Sequence, residues 1–385
     1  MYLTEEDVEM LNGSVSVLSK MYQRLRDLPV EEARRDLSEL DAKAQKKYAR
    51  KDRKDTKFFD IVAEDAISIG DGYQGHLDLF QKIFGQQGII ITEECGRVPR
   101  EPRIEHDTPV IISDPVDGSS YFDDVIERMS RASDSSEVMG DLFDREMEEV
   151  GVESLRRHAC NSSVTLLRDN MIKYAVVVNL FTGDIYVGSS EGVFMGDIRS
   201  ATSAGDISAP VEFDDTEGLT MLCYTKPGKY EQNREGTHLR FFPLDPAATA
   251  EIGPIGPMRF TNLVRYGEDD CSGIEVVAHN GEKVQEILPN VAMAMFSGGR
   301  LRAYKLFCDP EYTQHRAGKG MTPNLANSLY SDGLIVNTGI KSVFLNNYDY
   351  PSEFRDTTAI IAAGNDAALT MFTGMVERDY AARVV

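Results

Sequence analysis

The sequence predicts an α/β protein, an α+β layered sandwich in which helices and sheets alternate, and three observations favour this class. Stretches with a helical period of apolar residues precede GIIIT and PVIIS, two short apolar runs typical of buried strands. Residues 162–195 alternate in the manner of three or four antiparallel strands, with RDN and TGD at the turns. The chain has 385 residues, 42% of them hydrophobic, enough for a sizeable core in roughly two or three domain-sized units. We expect an N-terminal α+β half over 1–200 and a C-terminal α/β half over 201–385.

The first hundred residues are predicted to be helices that lead into a strand. Thr4 with Asp7 resembles a capping box, and the helix that it opens extends to Leu28. A second amphipathic helix is expected over 31–50. Two further helices are predicted in FFDIVAEDAIS and LDLFQKIFG, and the strand GIIIT then delivers Glu93 at its end.

A long acidic helical region follows the second apolar strand. Ser119 and Ser120 are good helix caps, and Asp123 and Asp124 are expected in the first turn, where the helix dipole favours them. The helical character continues over 125–158.

The last part of the chain alternates again. Residues 200–270 are rich in Gly, Pro, Asp and Thr and predict loops with short strands. NLANSLYSDG is predicted to be a helix, and LIVNTG and SVFLNN are predicted to be strands. DTTAIIAAGNDAALTMF is predicted to be a helix that opens with Asp356.

The charge of the chain limits its partners. The formal net charge of −22 disfavours a nucleic-acid polymer or an anionic membrane surface as the main partner, and metal cations are more compatible with it. The start MYLTEEDVEM lacks the basic and apolar regions of a signal peptide, so a cytoplasmic protein is expected. The five cysteines form no CxxC pair and are typical of reduced packing residues.

The stretch SDPVDGSS predicts a site for phosphate and metal ions. Asp114 and Asp117 end an apolar strand, and Pro115 stiffens the turn between them so that both carboxylates can converge on a divalent cation such as Mg²⁺. The carbonyl of Val116 is a further oxygen ligand. A helix is predicted to open with the backbone amides of Gly118, Ser119 and Ser120, which can bind an anion. Acids at strand ends are typical of ligand sites in α/β folds.

The same sequence disfavours other catalytic motifs. Two residues separate Asp114 and Asp117, whereas haloacid-dehalogenase-type phosphatases use DxD. The sequence contains no GxxxxGK[ST], HExxH or GxSxG, and its six histidines form no cluster with the spacing of metal ligands. A retaining glycosidase pair cannot be ranked from sequence spacing.

Four segments in order resemble the Mg²⁺-dependent, lithium-sensitive phosphatases related to inositol monophosphatase, fructose-1,6-bisphosphatase and the bisphosphate nucleotidases. SDPVDGSS is similar to the signature DPIDGT or DPLDGSS of that family. FDIVAEDAIS resembles its DLVTxxD segment, GIIITEE its FIGEE strand end, and YPSEFRDTTAIIAAG its PTxEWDTAAGHAV segment. The strands over 162–188 also resemble the sheet segment of the family, so the resemblance covers about 57–370.

The resemblance implies the roles of particular residues. Two Mg²⁺ ions, with a more weakly bound third, would be held by Glu93, Asp114, the carbonyl of Val116, Asp117, Asp356 and Asp65. Asp65 and Glu93 would hold the third ion and its water, and the Ser119 hydroxyl would help orient the attacking water. The amides of Gly118 and Ser119 would hold the phosphate. Most ligands lie in the N-terminal half; the last ligand and the elements that set specificity lie in the C-terminal half.

The implied activity is hydrolysis of a small phosphorylated metabolite, a phosphoric monoester, by direct in-line attack of metal-activated water. Inositol phosphates, nucleotide 3′-phosphates and sugar phosphates all remain open as substrates, and family members are often homodimers. Arg316, Lys319 and Arg355 are candidates for contacts with substrate. Ala63 and Arg355 replace the Thr and Trp of the family, which leaves open a weakened member that only binds metal or phosphate ligands.

Overall fold

The structure is a computed structural model, and it describes the residues from which all elements and contacts below are taken. They are residues 3–40, 56–69, 74–92, 95–99, 107–130, 137–158, 160–169, 171–213, 221–223, 249–250, 260, 264–265, 276–280, 284–297, 301–305 and 358–363.

The helices of the described residues lie mostly in the first 160 positions. They are α1 (Glu5–Asp27), α2 (Val30–Ala33), α3 (Phe58–Ser68), α4 (His76–Phe84), α5 (Ser119–Ser130), α6 (Met139–Val150), α7 (Val152–His158) and α8 (Val284–Phe296). The predicted capping box of α1 is confirmed, since Asp7 N donates to Thr4 Oγ1 at 3.2 Å and Thr4 N donates to Asp7 Oδ2 at 3.0 Å.

The strands divide between an early group and a late group. The early strands are β1 (Ile89–Thr92), β2 (Gly96–Val98), β3 (Val110–Asp117), β4 (Asn161–Arg168), β5 (Met171–Asn179), β6 (Asp184–Ser189), β7 (Gly192–Asp197) and β8 (Ala209–Pro210). The late strands are β9 (Glu212–Phe213), β10 (Met221–Cys223), β11 (Thr249–Ala250), β12 (Val264–Arg265), β13 (Val276–Asn280), β14 (Leu301–Lys305) and β15 (Thr358–Ala363).

The early strands form one mixed eight-stranded sheet in the order β2-β1-β3-β4-β5-β6-β7-β8. Strands β1 and β3 are parallel and the other neighbours are antiparallel. The run β4 to β7 confirms the antiparallel strands predicted over 162–195. Since β1 and β3 run in the same direction, their carboxyl ends lie at the same edge of the sheet.

Helices pack on one face of this sheet and form the main core. Apolar side chains of α1, α3, α5 and α6 contact alternate residues of the central strands, including Ile111 and Val176. Phe122, Phe143 and Phe181 form the aromatic centre of this core, with ring centroids 4.9–5.8 Å apart. Residues on the opposite face, such as Ile112, are equally buried. Both faces are therefore covered, which confirms the predicted α/β layering.

The helix predicted over 31–50 is shorter in the structure than expected. It ends at Ala33, because the backbone then pairs with the segment before α3: Phe58 N donates to Arg35 O at 2.9 Å and Leu37 N donates to Thr56 O at 3.1 Å. Residues 41–50 lie outside the described part of the chain.

Strand β15 corrects a second prediction. DTTAIIAAG was expected to open a helix, but Thr358–Ala363 pair antiparallel with β13 on one side and β14 on the other. Thr and Ile are β-branched and favour a strand flanked by two partners, which the apolar run alone does not reveal. The late strands form a five-stranded sheet in the order β11-β10-β13-β15-β14, beside a two-stranded ribbon of β12 and β9.

The chain divides into two compact units. The first contains Met1–Pro210, with Pro254–Pro257 and Ile340–Asp349, and the second contains the remaining residues. The domain boundary predicted at residue 200 stays a prediction. Among the helices of the described residues, none is long and apolar enough to span a membrane.

Candidate active site

A β-bulge brings the two acids of the SDPVDGSS motif to one face of the sheet. Asp114 lies opposite Ser163 of β4 and Asp117 lies opposite Asn161, with a register shift between the two pairs. Residues 115–116 of β3 therefore face a single residue of β4. Side chains two apart on a strand share a face, so the partners at 161 and 163 do, and the two acids opposite them do as well.

The face that the acids occupy is the one turned away from α1. Ser162, between the two partners of the acids, donates to Met21 Sδ of α1 at 3.5 Å, so it points into the helix layer. Val116 belongs to the same apolar core as Met21. Asp114 and Asp117 hence project to the opposite side. Asp114 has only 1% of its surface exposed, whereas Asp117 is half-buried.

Pro115 is compatible with this position because a bulge interrupts the ladder of hydrogen bonds. Proline lacks an N–H group and is found in sheets mainly at edges and bulges. Among the described residues, the pairing of β3 with β1 extends to Ile112, so none of them requires the missing donor on that side. The stiff turn expected from Pro115 is thus a bulge inside the strand.

Helix α5 begins directly after β3. Gly118 has a φ of +93° and is the residue before the helix; its carbonyl accepts hydrogen bonds from Tyr121 N at 2.9 Å and Cys160 Sγ at 2.9 Å. The amides of Ser119 and Ser120 therefore precede the first hydrogen bond of the helix, as an anion site requires. A φ of this size favours glycine, which has no Cβ.

The capping of this helix differs from the prediction. Ser119 and Ser120 are the first two helical residues and not its caps, so Asp123 and Asp124 fall in the second turn. The reason is the left-handed Gly118, which turns the chain one residue earlier than a serine cap would.

Two further contacts hold α5 against α6. Tyr121 donates a short hydrogen bond to Glu146, which is fully buried, and Arg128 donates to both oxygens of the same carboxylate at 2.7 and 2.8 Å. Burial, followed by the bond to Glu146, raises the pKa of Tyr121. The first and last turns of α5 are thus tied to one carboxylate of the acidic region.

Asp65 lies on α3 and is half-buried. Its neighbour Glu64 is fully buried and accepts a short hydrogen bond from Thr92, the last residue of β1. Glu64 is not among the site residues predicted from the sequence. Glu64 lies four residues after Asp60, on the helix face toward the sheet. This spacing is the feature of the sequence from which its position could have been inferred.

Several predicted site residues lie outside the described residues. They are Glu93, Arg316, Lys319, Arg355 and Asp356. Among the residues that the structure describes, no three His, Cys, Asp or Glu side chains form a group that could hold a metal ion. The full ligand set, with the role of Asp65, stays a prediction.

Searches against known proteins gave only distant structural likenesses. No family model matches the chain, and no curated protein matches it. An inositol monophosphatase from Zymomonas mobilis is 13% identical, with a TM-score of 0.48 over 98% of this chain and 100% of that chain. CysQ from Bacteroides thetaiotaomicron, a bacterial member of the inositol monophosphatase family, is 10% identical, with a TM-score of 0.46 over 95% of this chain and 100% of that one.

A hypothetical protein from Pyrococcus horikoshii with similarities to inositol-1 monophosphatase is 12% identical, with a TM-score of 0.47 over 94% of this chain and 95% of that chain. Identities of this size, with TM-scores below 0.5, do not assign the chain to a family. The family stays a prediction from the motifs.

Proposed function

We propose that this chain is a metal-dependent phosphoric monoester hydrolase that acts on a small phosphorylated metabolite. The observation that carries the proposal is the bulge in β3, which puts Asp114 and Asp117 on one face immediately before the open amides of α5. Two same-face carboxylates favour a cation, and helix-terminal amides favour an anion. Because the two carboxylates and the helix-terminal amides are adjacent, the site fits a phosphate ester.

The oxygen donors at the bulge fit a hard divalent cation. Carboxylate and carbonyl oxygens are the ligands that Mg²⁺ prefers, and the near-complete burial of Asp114 penalises its charge unless a counter-charge is close. Asp114, Asp117 and the carbonyl of Val116 would hold Mg²⁺, together with Glu93, Asp356 and Asp65 as further proposed ligands of two or three ions. When bound, such ions supply charge neutralisation and a water of lowered pKa.

The residues of the chain itself would bind and orient the ester. The amides of Gly118 and Ser119 would donate to phosphate oxygens, and the half-buried Ser119 hydroxyl would orient the attacking water. Gly118 lets the phosphate approach the backbone because it presents no Cβ. Cytoplasmic location, lithium sensitivity and assembly as a homodimer remain predictions from the sequence.

A phosphate-release screen tests the proposal. The purified chain is assayed with Mg²⁺ and with EDTA against inositol phosphates, 3′-phosphoadenosine 5′-phosphate and sugar phosphates. We expect Mg²⁺-dependent release from at least one of them. Binding of Mg²⁺ without release from any ester would favour the alternative, a weakened protein that only binds metal or phosphate ligands.

Matched variants locate the activity. Asp114→Asn and Asp117→Asn should each lower kcat/KM by more than about 100-fold, since even outer-shell partners of metal ligands cost about 10–100-fold. Asp78→Asn, at an exposed position on α4, makes the same chemical change away from the site and should retain full activity. Activity that survives both site variants would refute the placement of the site at the bulge.

A further inference from the structure

Asn161 has a buried oxygen and lies next to the candidate site. Only 3% of its surface is exposed, and within the described part of the chain its Oδ1 has no hydrogen-bond partner. Asn161 lies directly opposite Asp117 across the β3–β4 pair. Directly opposed side chains lie on the same face with their Cβ atoms about 4.5–5.5 Å apart, so the carboxamide stands beside the Asp117 carboxylate.

The neighbour on the other side does not use this oxygen. Asn179 of β5 is paired with Asn161, but its Nδ2 donates to Leu155 O at 2.7 Å, and its Oδ1 accepts from the amides of Phe181 and Thr182 at 3.0 Å each. Asn179 is therefore engaged in holding its own turn. Neither polar atom of the Asn179 side chain is therefore bonded to the Asn161 oxygen.

A buried acceptor without a donor is a cost to stability that proteins rarely retain without a use. Polar residues that break this rule cluster at functional sites. The position of Asn161, opposite Asp117 and next to Cys160, which donates to the carbonyl of Gly118, suggests which use.

We propose that Asn161 is a binding residue of the candidate site, whose Oδ1 accepts a hydrogen bond from an O–H group held beside Asp117. This inference rests on the proposed phosphatase function. The donor is either a water molecule of the site or a hydroxyl of the phosphorylated alcohol. Both present the same chemistry to the carboxamide.

The first test compares stability with binding in Asn161→Leu. Leucine is nearly isosteric and removes the unpaired acceptor, so in EDTA the variant should melt about 3 °C above the wild type. Thr165→Val is the matched control. Thr165 lies on the same strand and face, is fully buried, and its Oγ1 also has no partner among the described residues, but it lies opposite Ile112 inside the sheet. It should also gain stability.

Measurements of binding distinguish Asn161→Leu from Thr165→Val, and they distinguish a water donor from a hydroxyl of the substrate. If the donor is water of the site, Asn161→Leu should weaken Mg²⁺ binding, measured by calorimetry without substrate, by about 10-fold or more. If the donor is a hydroxyl of the substrate, Mg²⁺ binding stays unchanged. The KM then rises for the preferred polyol or sugar phosphate and not for phenyl phosphate, which has no hydroxyl. Thr165→Val should change none of these values.

Either of those results supports the inference. It is overturned if Asn161→Leu and the smaller Asn161→Ala both keep the Mg²⁺ affinity and both KM values within twofold of the wild type. Asn161→Ala keeps the test decisive should the leucine variant not fold. Failure of the proposed function looks different, because the wild type itself would then release no phosphate from any ester, whether or not it binds Mg²⁺.

Discussion

Asp114 and Asp117 occupy the same face of β3 although they are three residues apart, because the bulge between them lets two residues of β3 face one of β4. In a regular strand, residues three apart point to opposite faces. The acids would then be separated by the thickness of the sheet. The bulge is therefore the structural feature that makes a shared cation feasible.

Removal of Mg²⁺ should lower the stability of the wild type. At a free Mg²⁺ concentration 100 times the dissociation constant, binding to the folded state contributes about 2.7 kcal/mol, which corresponds to a melting shift of roughly 5–10 °C. Differential scanning calorimetry with Mg²⁺ and with EDTA measures this shift. Asp114→Asn should abolish it and Asp78→Asn should retain it; an equal shift in all three proteins would place the ion elsewhere.

Gly118→Ala should weaken both stability and phosphate binding. A Cβ at a φ of +93° is strained, and we expect a loss of about 1–2 kcal/mol in the free energy of unfolding. The control is Gly151→Ala, at a φ of +90° with open space around the added carbon. Both variants should lose similar stability in urea, but Gly118→Ala alone should weaken inhibition by inorganic phosphate. Equal phosphate inhibition in the two variants would argue against an anion site at α5.

A buried hydrogen-bond chain joins α1, α4 and β5. His76 Nδ1 lies 2.8 Å from Ile67 O, a group that only accepts, so Nδ1 carries a proton, and in the neutral imidazole Nε2 is the acceptor. Ser14 Oγ, 2.9 Å from Nε2, must therefore donate to it, and Tyr174, 2.8 Å from Ser14 Oγ, must donate to the serine. The neutral imidazole therefore has both of its ring nitrogens hydrogen-bonded inside the folded protein.

Acid should destabilise the protein through His76. Burial lowers the pKa of His76 from 6.5 to about 4. Between pH 6.5 and pH 4 the unfolded chain binds a proton at this histidine that the folded protein excludes. The contribution of the neutral His76 to the free energy of unfolding is therefore complete above pH 6.5 and is lost as the pH falls toward 4. The loss should reach about 3 kcal/mol in the free energy of unfolding.

Urea unfolding between pH 7 and pH 4.5 checks this expectation. His76→Gln should flatten the pH dependence over this window. Tyr174→Phe removes one hydrogen bond but no group that titrates in this pH window. Its free energy of unfolding should therefore lie about 1 kcal/mol below that of the wild type at every pH. A slope in His76→Gln equal to that of the wild type would show that other groups cause the acid sensitivity.

Arg128 should matter more to stability than its exposure suggests. It is 46% exposed, but it neutralises the fully buried Glu146. Arg128→Met leaves that carboxylate with Tyr121 as its remaining donor among the described residues and should cost about 3–5 kcal/mol. Asp144 lies on α6, as Glu146 does, and is 52% exposed; Asp144→Asn breaks its pair with Arg26 of α1 and should cost about 0–1 kcal/mol. Comparable losses in urea unfolding would contradict a special role for Glu146.

Much of the fold was predictable because local patterns and tertiary partners agree. The capping box of Thr4 and Asp7, the helix of FFDIVAEDAIS and the strands after Cys160 each follow from residue periodicity and turn chemistry. The helix predicted at Asp356 failed because pairing with two neighbouring strands decides the conformation of Thr358–Ala363.

The residues of the candidate site were predictable from the sequence, but their geometry was not. The sequence indicates that Asp114, Asp117 and Gly118 belong together. It does not show that a bulge aligns the acids, because a bulge depends on the register of β4. Asn161 carried no signal at all, since its position opposite Asp117 arises only when residues 44 apart in the chain pair in the sheet.

A double-mutant cycle on Mg²⁺ binding tests the central claim most directly. Asp114→Asn, Asp117→Asn and the double variant are titrated with Mg²⁺ by isothermal calorimetry beside the wild type. If the two carboxylates share an ion, each single variant loses most of the affinity and the double variant loses little more, so the effects are strongly non-additive. Independent, additive losses, or full Mg²⁺ affinity in the double variant, would contradict a shared cation at the bulge.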